Sequence, residues 1–460
     1  MATAQHGARE VSNDGLAAGG VEVIGVEARS ATDEHEYEYE HGFTRILLPL
    51  VYFRFRRYYV WKGRASGKYL RTLGERLGRL PPGLASGEPS IWIHAVSVGE
   101  VLVARDLAEA LKARFPSRRV IVSTTTPTGH ALARQAVPAD GVFFNPLDLP
   151  WAVRRVLAGL NPSLVVLVET EIWPNLIHEA HRRGARVAVV NGRLSPRSFP
   201  RYRRARPLLT RVLAEVDAFL MQGEAHAERA RQIGAPAGRV RVTGNIKYDA
   251  VAPARPSPAL ATLLGDGAGA PMWVVGSTMA GEEEPVLRAF SLARGTAPGL
   301  RLLLAPRHPE RAADVAALTT RAGYRVARRS ALGAGAWRDG DVLVLDTLGE
   351  LAGAYSFATV VFVGGSLVPA GGHNVLEPAV AGRAVVVGPH MENFQEIADE
   401  LRGAGAMVQV ARAEDLGPAV ARLLESAPER ERLGARAREI VERNRGALQA
   451  TVDALAGLVA

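Results

Sequence analysis

Two series of short apolar runs, alternating with longer stretches of helical character, constrain the fold of this chain more than any other feature. The first series comprises residues 91–95, 119–124, 141–145, 164–169, 186–191, 217–222 and 239–245; the second comprises 272–277, 300–306, 341–346, 359–365, 383–388 and 406–410. Runs of this kind are typical of buried strands, and the intervening stretches of about 10–15 residues are typical of helices. The pattern predicts βα units and therefore a mainly parallel sheet in each series.

The two series are separated by "APARPSPALATLLGDGAGAP" (252–271), whose proline and glycine content is typical of a linker. The sequence therefore predicts an α/β protein with two Rossmann-like domains facing a central cleft. We place the first domain at 81–250, the linker at 251–271 and the second domain at 272–460. In such sheets ligands bind at the carboxyl ends of the strands, so the residues that follow each strand are the candidates for function.

The first 80 residues do not follow this alternation. Residues 1–40 have no periodicity and end close to an acidic run, which predicts a disordered tail. Residues 41–80 interleave aromatic residues with arginines, but their uninterrupted apolar run, Ile46–Phe53, is eight residues long, far below the roughly 18–20 needed to span a bilayer. We interpret 41–80 as a membrane-interface segment, with a basic helix packed on its own domain as the alternative.

Composition excludes several kinds of chemistry. The chain has no cysteine, which rules out disulfides, thiolate metal sites and a cysteine nucleophile. Its formal charge of +9 indicates an anionic partner, either nucleic acid, phospholipid or a phosphorylated substrate. Neither a Walker A sequence nor a strand-linked G-x-G-x-x-G occurs. "HEAH" (178–181) lacks the zincin spacing, and "DGD" (339–341) has the character of a turn, so we predict no metal site.

Three strand ends in the first series carry candidate catalytic residues. Glu100 follows the first strand, and its spacing from Ser97 matches a capping box, which competes with a role as general base. Glu169 and Glu171 follow the fourth strand, and we expect one of them to face the cleft while the other packs locally. Lys247 follows the last strand, where a lysine is either solvated or neutralises charge that develops on a ligand.

The strand ends of the second series have the character of an anion and nucleotide site. Arg307 stands at a strand end just before a proline that begins a helix, which suits a phosphate. A loop around Gly349 leaves helix amides free for a ligand. The stretch "FVGGSLVPAGGHNVLEPA" (362–379) contains little steric bulk and then presents Asn374 and Glu377, and a carboxylate at this place is suited to the hydroxyls of a ribose.

Taken together, the segments "AVSVGE", "ETEIWPN", "GNIKYD", "PRHPER", "TLGEL" and "FVGGSLVPAGGHNVLEP" resemble the 3-deoxy-D-manno-octulosonic acid (Kdo) transferases of Gram-negative bacteria. The resemblance runs from about residue 45 to the end of the chain, with the six motifs in family order. It implies a GT-B fold and an inverting glycosyltransferase that moves Kdo from CMP-Kdo to a lipid A precursor (lipid IVA), with no metal and no other cofactor. It also implies a peripheral enzyme on the cytoplasmic face of the inner membrane, which needs no nucleic acid.

The resemblance also implies residue roles. Glu100 takes the place of the general base that deprotonates the acceptor hydroxyl, and Glu169 and Lys247 match residues that stabilise the transition state. The first domain is then the acceptor domain and the second binds CMP-Kdo. The residues that match the CMP-binding segments are Pro306, Arg307, Gly349, Glu350, Leu351, Asn374, Val375, Leu376 and Glu377.

Two other functions remain open on the residues alone. A UDP-sugar epimerase shares the predicted architecture, and a nucleic-acid-binding protein is compatible with the charge, although the chain has neither a zinc finger nor an RNP-like aromatic pattern. The arginines of 193–211 suit either lipid phosphates or a solvated helix face.

Overall fold

The computed structural model describes residues 72–169, 171–265, 269–332, 337 and 342–459. The predicted tail (1–40), residues 41–71 of the predicted interface segment and the "DGD" pattern (339–341) lie outside the described residues. The described chain contains two sheets of seven strands each, and every strand pairing in both is parallel.

The first sheet has the strand order β3-β2-β1-β4-β5-β6-β7. Its strands are β1 (Ser90–His94), β2 (Arg119–Thr124), β3 (Gly141–Phe144), β4 (Pro162–Val168), β5 (Arg186–Gly192), β6 (Ala218–Met221) and β7 (Val240–Val242). The order reverses between β1 and β4, so the chain after β1 and the chain after β4 leave the sheet at the position where ligands bind in open α/β folds. We call this sheet with its helices the first lobe.

Apart from the short helix that precedes β1, the helices of the first lobe connect successive strands, as the alternating sequence pattern predicts. They are α1 (Leu73–Arg76), α2 (Val98–Arg114), α3 (Pro127–Ala136), α4 (Pro150–Leu160), α5 (Pro174–Arg182), α6 (Phe199–Arg204), α7 (Arg206–Leu213) and α8 (Glu224–Gln232). Five of them, α3, α4, α5, α6 and α7, have proline in the first turn, where its missing N–H has no intrahelical partner to lose. Strand β4 is buried on both faces over Leu164–Val168, which explains its unbroken apolar sequence.

The second lobe repeats this plan with the strand order β10-β11-β9-β8-β12-β13-β14. Its strands are β8 (Met272–Thr278), β9 (Arg301–Pro306), β10 (Val326–Arg328), β11 (Val342–Val344), β12 (Val360–Val363), β13 (Ala384–Val387) and β14 (Val408–Gln409). Its helices are α9 (Pro258–Gly265), α10 (Glu283–Thr296), α11 (Ala312–Arg321), α12 (Leu351–Ala354), α13 (Leu376–Val380), α14 (Gln395–Gly403), α15 (Leu416–Glu425) and α16 (Ala427–Arg443). Separate apolar clusters fill its two faces.

The last helix, α17 (Ala447–Val459), packs in the core of the first lobe although it follows the second lobe in sequence. Val452 and Leu455 lie among the side chains of β1, β4 and α2. The chain therefore crosses between the lobes twice, once after β7 and once before α17.

All thirteen strands that the sequence predicts are present, with ends that agree to within three residues. The prediction missed β10, because "VAR" is a short edge strand that pairs with β11 alone and contains an arginine. The predicted linker contains helix α9, whose Leu260, Leu263 and Leu264 are buried in the second lobe. The division into domains at the predicted boundaries otherwise stays a prediction.

The part of the 41–80 segment that the structure describes contacts the first lobe. Arg76 is 2% exposed and donates a hydrogen bond from Nη2 to the Thr125 carbonyl (2.7 Å), while Glu75 accepts one from the Phe144 amide (2.8 Å). For residues 72–80 these contacts favour the packed alternative. Among the described residues, no helix has the length and apolar character to cross a bilayer.

Candidate functional site

Glu100 and Glu169 leave the first sheet on either side of its reversal point. Glu100 lies in the first turn of α2, just after β1, and Glu169 directly follows β4, the neighbour of β1 in the sheet. Because both strands run in the same direction, their carboxyl ends meet at one edge of the sheet. The two carboxyl groups are close enough for the charge of Glu169 to affect the ionisation of Glu100.

Glu100 is a buried carboxyl group, 8% exposed, with a hydrogen-bond donor on each oxygen. The Val96 amide donates to Oε2 (2.8 Å) and the Ser97 hydroxyl donates to Oε1 (2.9 Å). Burial is the main cause that raises the pKa of Glu100 to about 8, and the carboxylates of Glu169 and Glu171 add to the effect. A carboxyl group with this pKa exchanges its proton near neutral pH, which is a requirement for general base catalysis.

The capping-box interpretation of Glu100 explains only part of this geometry. In a capping box the Ser hydroxyl accepts a hydrogen bond from a first-turn amide, while the Glu side chain accepts one from the backbone N–H of the N-cap residue. Here Ser97 makes no such bond and donates to Glu100 instead, and Glu100 binds the amide of Val96, one residue before the N-cap. The two contacts hold the Glu100 carboxyl group in place. The hydrogen bond that a capping box would have from a first-turn amide to the Ser97 hydroxyl is not formed.

Glu169 forms ion pairs with two cations. Lys247 Nζ lies 3.0 Å from Oε1, and Arg193 Nε lies 3.2 Å from Oε2. The Glu169 and Lys247 side chains are 12% and 18% exposed, so water screens their pairing only partly. Lys247 and Arg193 follow β7 and β5, and both cations are therefore placed at the same sheet edge as Glu100.

Backbone conformations at this edge are unusual. Glu169 has φ 61° and Asn191 has φ 51°, in the left-handed region that residues other than glycine rarely adopt. Such strain costs about 1–3 kcal/mol per residue and is common at functional sites. Asn191 Oδ1 accepts a hydrogen bond from the Ile246 amide (3.0 Å), and Asn245 Oδ1 accepts one from the Lys247 amide (3.1 Å), so the turn that carries Lys247 is fixed from both sides.

Glu171 also belongs to this site. It lines a small, mainly apolar cavity together with Glu169 and Arg193. Burial, together with the nearby Glu169 carboxylate, raises the pKa of Glu171 to about 7. The sequence left open which of Glu169 and Glu171 would face the cleft, and the structure brings both to one site, since both line this cavity and both raise the pKa of Glu100.

In the second lobe, the charge of Arg307 reaches two side chains of the 362–379 stretch. Arg307 is exposed just after β9, and its amide donates to the Thr278 carbonyl (3.0 Å) at the end of β8. Burial and the positive charge of Arg307 lower the pKa of His373 to about 4. Burial raises the pKa of Glu377, while the hydrogen bond from Asn374 and the charge of Arg307 act against it. Two strand-end segments, those after β9 and β12, thus bring a cation, a neutral imidazole and a carboxyl group together.

The other predicted donor-site residues of the 362–379 stretch are Asn374, Val375 and Leu376, and they differ in whether the side chain or only the main chain is available to a ligand. Asn374 Nδ2 donates to Glu377 Oε1 (3.0 Å), while its Oδ1 accepts from the Leu376 amide (3.0 Å) and begins α13. The Val375 and Leu376 side chains are buried in the core, so only their main chain is available to a ligand.

A second predicted segment, 349–351, lies at the N-terminal end of α12. Gly349 has φ 81° and open space around it. Glu350 receives hydrogen bonds from Thr347, Ser257 (2.9 Å) and Arg329 (3.1 Å). Although burial opposes them, these donors lower the pKa of Glu350 and keep its carboxylate ionised. Leu351 begins α12, and Pro306 is the last residue of β9.

Glu282 shapes the 362–379 stretch and is absent from the sequence prediction. It is fully buried, and its carboxylate accepts hydrogen bonds from the amides of Gly365 (2.7 Å), Ser366 (3.0 Å) and Leu367 (2.8 Å). Glu282 therefore holds the backbone of this loop, whereas Glu283 and Glu284 lie in the first turn of α10, where negative charge complements the helix dipole. Gly371 and Gly372 have positive φ, and a Cβ on either would collide with Asn393 or Met391. These glycines are required by neighbouring protein atoms.

A search of the described residues for groups of three or more His, Cys, Asp or Glu side chains that could hold a metal ion finds none.

Comparisons with known proteins identify the family. The profile described as 3-deoxy-D-manno-octulosonic-acid transferase (kdotransferase) matches residues 71–250. The 3-deoxy-D-manno-octulosonic acid transferase of Haemophilus influenzae is 37% identical over 85% of this chain and 92% of its own length. The chain belongs to the Kdo transferase family. The enzyme of the same name from Bordetella pertussis is 34% identical over 89% of this chain and 96% of its own length.

A crystal structure of a glycosyltransferase from Rickettsia africae has the same fold, with a TM-score of 0.52, 12% identity, and coverage of 81% of this chain and 98% of its own. The Kdo transferase described here is thus a GT-B glycosyltransferase that acts in lipopolysaccharide core biosynthesis, as the motifs predicted. The epimerase alternative is not favoured.

The sequence analysis of this Kdo transferase missed Arg193, Glu282 and His373 as site residues. Arg193 was placed among arginines suited to lipid phosphates, but the structure pairs it with Glu169. The signal that would have found it is its position directly after β5, since strand ends of a parallel sheet converge. No comparable signal exists for Glu282, whose partners lie 83 to 85 residues away in sequence.

Proposed function

We propose that this Kdo transferase uses CMP-Kdo as donor and lipid IVA as acceptor, and that it transfers Kdo with inversion at the anomeric carbon. The observation that carries the proposal is the buried Glu100 carboxyl group with its raised pKa, next to the Glu169–Lys247 pair. The family supports the transferred group, and the residues at the two strand-end edges support the division of roles between the lobes.

In the proposed reaction, ionised Glu100 accepts the proton of the acceptor hydroxyl as its oxygen attacks the anomeric carbon of Kdo. The bond between that carbon and the phosphate oxygen of CMP breaks, and its electron pair leaves with the phosphate. Lys247 and its partner Glu169 lie where charge changes during this step, and a fixed cation there stabilises the transition state without reorganisation.

The second lobe is proposed to bind the donor nucleotide. Arg307 supplies a cation for the phosphate. Glu377 is placed to accept hydrogen bonds from ribose hydroxyls, and the open backbone at Gly349 adds unobstructed amides. For Val375 and Leu376 the proposed contacts are limited to the main chain, since their side chains are buried.

Incubation of the purified enzyme with CMP-Kdo and lipid IVA, followed by mass spectrometry of the lipid, tests the proposal. We expect an acceptor whose mass has increased by one or more Kdo residues. Glu100→Gln should abolish the product while CMP binding is retained. Glu109→Gln, which changes an exposed carboxylate on the same helix, is the matched control and should remain active. An unchanged acceptor with the wild-type enzyme would contradict the proposal.

We further propose that the enzyme binds peripherally to the cytoplasmic face of the inner membrane, where its acceptor lies. Helices α6 and α7 and the turn before them support this with exposed arginines, namely Arg197, Arg201, Arg203, Arg204, Arg206 and Arg211. Arg201 and Arg203 lie over the rings of Tyr202 and Phe199, at 5.4 and 5.8 Å, a combination suited to anionic headgroups. No role for nucleic acid is proposed.

Co-sedimentation with vesicles of anionic or zwitterionic lipid tests this location. Charge reversal of Arg203 and Arg204 should release the protein from anionic vesicles, whereas reversal of Arg321 and Arg432, exposed on the second lobe, should not. Equal binding by both double variants would count against α6 and α7 as the contact surface.

A further inference from the structure

Helix α14 of the second lobe carries two carboxylates that contact the parts of the chain bearing the two cations of the reaction centre. Glu396 and Glu400 are four residues apart, so their side chains lie on one face of the helix, one turn from each other. Glu396 lies 3.4 Å from His226 Nε2 of α8, and Glu400 accepts a hydrogen bond from the Tyr248 hydroxyl (2.6 Å). Each contact joins α14 to a segment next to Arg193 or Lys247.

The first connection leads to Arg193. The Leu194 amide donates to His226 Nδ1 (3.0 Å), which places the proton of a neutral imidazole on Nε2, facing Glu396. Arg229 Nη1 also binds the Leu194 carbonyl (2.6 Å), so the residue after Arg193 is held on both its amide and its carbonyl. Although burial opposes it, His226 together with the charges of Arg193 and Lys247 lowers the pKa of Glu396. The charges of Arg193 and Lys247 therefore both act on the Glu396 carboxylate.

The second connection leads to Lys247. Its two neighbours in the turn Ile246–Tyr248 belong to different cores: Ile246 is buried with the first sheet, and Tyr248 is buried in the second lobe. Lys247 therefore lies between a residue packed in the first lobe and a residue packed in the second. The hydrogen bond from Tyr248 to Glu400 holds the second of these residues in place. Glu400 also accepts hydrogen bonds from Arg443 (3.0 Å) and Asn444 (3.0 Å), where the chain crosses back toward α17.

The same helix is attached to the predicted donor loop. Asn393, two residues before α14, donates from its amide to the Gly371 carbonyl (2.8 Å) and from Nδ2 to the Gly372 carbonyl (3.3 Å). A continuous set of contacts therefore runs from the 362–379 stretch through α14 to both cations.

We propose that Glu396 and Glu400 are positioning residues, which set the places of Arg193 and Lys247 at the reaction centre and transmit the state of the donor loop to them. They need not touch either substrate. The role in catalysis rests on the proposed function, since it assumes that the Glu169–Lys247 pair serves the transfer step. The linkage between the lobes does not depend on that assumption.

Kinetics of Glu396→Gln and Glu400→Gln test the catalytic part. Each change keeps the shape and removes the charge, and we expect kcat to fall by about tenfold because displaced charges stabilise the transition state less well. CMP affinity and the KM for the donor should stay within about twofold. Asp399→Asn is the matched control, since Asp399 lies on the same helix, is 46% exposed at its side chain and pairs with Arg402 of that helix (2.7 Å). Its kcat should not change.

Tyr248→Phe separates positioning from a general loss of stability. It removes the bond to Glu400 and leaves the ring in the core, as well as the bonds of Glu400 to Arg443 and Asn444. We expect Tyr248→Phe to reduce kcat as Glu400→Gln does, and the double variant to be no slower than the slower single variant, because both changes break one interaction. Additive losses, or losses in KM alone, would overturn the proposal.

Distances between the lobes provide a readout that needs no substrate. The chain has no cysteine, so one spin label at Glu109→Cys and one at Glu431→Cys mark the two lobes uniquely. We expect Glu396→Gln and Glu400→Gln to broaden the distance distribution, and Asp399→Asn to leave it unchanged. An altered distribution in an enzyme that forms no Kdo-lipid would reject the proposed function and retain the linkage. Unaltered distributions in both variants would reject the linkage.

Discussion

The raised pKa of Glu100 makes the pH dependence of transfer the sharpest test of its role. A general base must be ionised before it accepts a proton, so kcat/KM should rise with pH until Glu100 has lost its proton, at a pH of about 8. One unit below that value, roughly a tenth of the molecules carry the ionised base, and two units below roughly a hundredth. Transfer should therefore slow about tenfold for each pH unit on the acid side.

The causes of the shift predict how a neighbouring change should move the profile. Burial is the largest cause, and the negative charges of Glu169 and Glu171 add to it. Glu171→Gln removes one of these charges at constant volume, so the ionised form of Glu100 becomes easier to reach and its pKa falls. Because the pKa of Glu171 is itself about 7, its negative charge is present mainly above that pH, and the variant should exceed the wild type between about pH 7 and 8.

Initial rates of Kdo transfer at limiting donor, between about pH 6 and 9, measure this profile, and kcat/KM reports the free enzyme. Glu109→Gln, which alters an exposed carboxylate of the same helix, should follow the wild-type curve. A profile that is flat across this range, or one that falls as pH rises, would refute ionised Glu100 as the base. A shift of the Glu171→Gln profile to higher pH would refute the assigned cause.

Two further predictions concern stability and donor binding. Glu100→Gln should stabilise the fold at pH 8 and have little effect near pH 4.5. Folding raises the pKa of Glu100 from 4.5 to about 8. The contribution of the protonated side chain to wild-type stability is therefore fully present below pH 4.5 and is lost as the pH rises to about 8. The difference, 8 − 4.5 = 3.5 units, corresponds to at most ~5 kcal/mol, and we expect ~1–3 kcal/mol in urea unfolding because Gln satisfies only one of the two donors well. Equal stability of the two proteins at pH 8 would argue against burial as the cause. Arg307→Ala should weaken CMP binding about tenfold in calorimetry through loss of a charge-assisted hydrogen bond, while Arg321→Ala, an exposed arginine on α11, should not; unchanged affinity would remove Arg307 from the donor site.

The alternating apolar runs were sufficient to predict two parallel sheets, because strands buried on both faces need unbroken Val, Ile and Leu. They failed at β10, an edge strand whose neighbour covers one side only. They also could not assign α17, since an amphipathic helix matches any apolar surface, and its packing on the first sheet depends on where the chain crosses between the lobes.

In the candidate site, too, some features were predictable from the sequence and others were not. Glu100, Glu169, Lys247 and Arg307 were chosen as candidates because strand ends converge in a parallel sheet, which is a rule of topology that sequence order reveals. The sequence analysis assigned only one of Glu169 and Glu171 to the cleft, whereas both carboxylates act on Glu100, and the left-handed conformation of Glu169 has no signal in the strand pattern.

The sequence by itself determined the elements, their order and the edge of each sheet where chemistry is placed, because periodicity and strand ends are local properties of a chain. Only the tertiary structure decided which charges meet. Arg193 pairs with Glu169, Glu282 holds the 365–367 amides, and α14 contacts both cation-bearing segments. These partners are far apart in sequence, and hydrogen bonds and ion pairs at about 3 Å exist only once packing has fixed the positions of whole strands and helices.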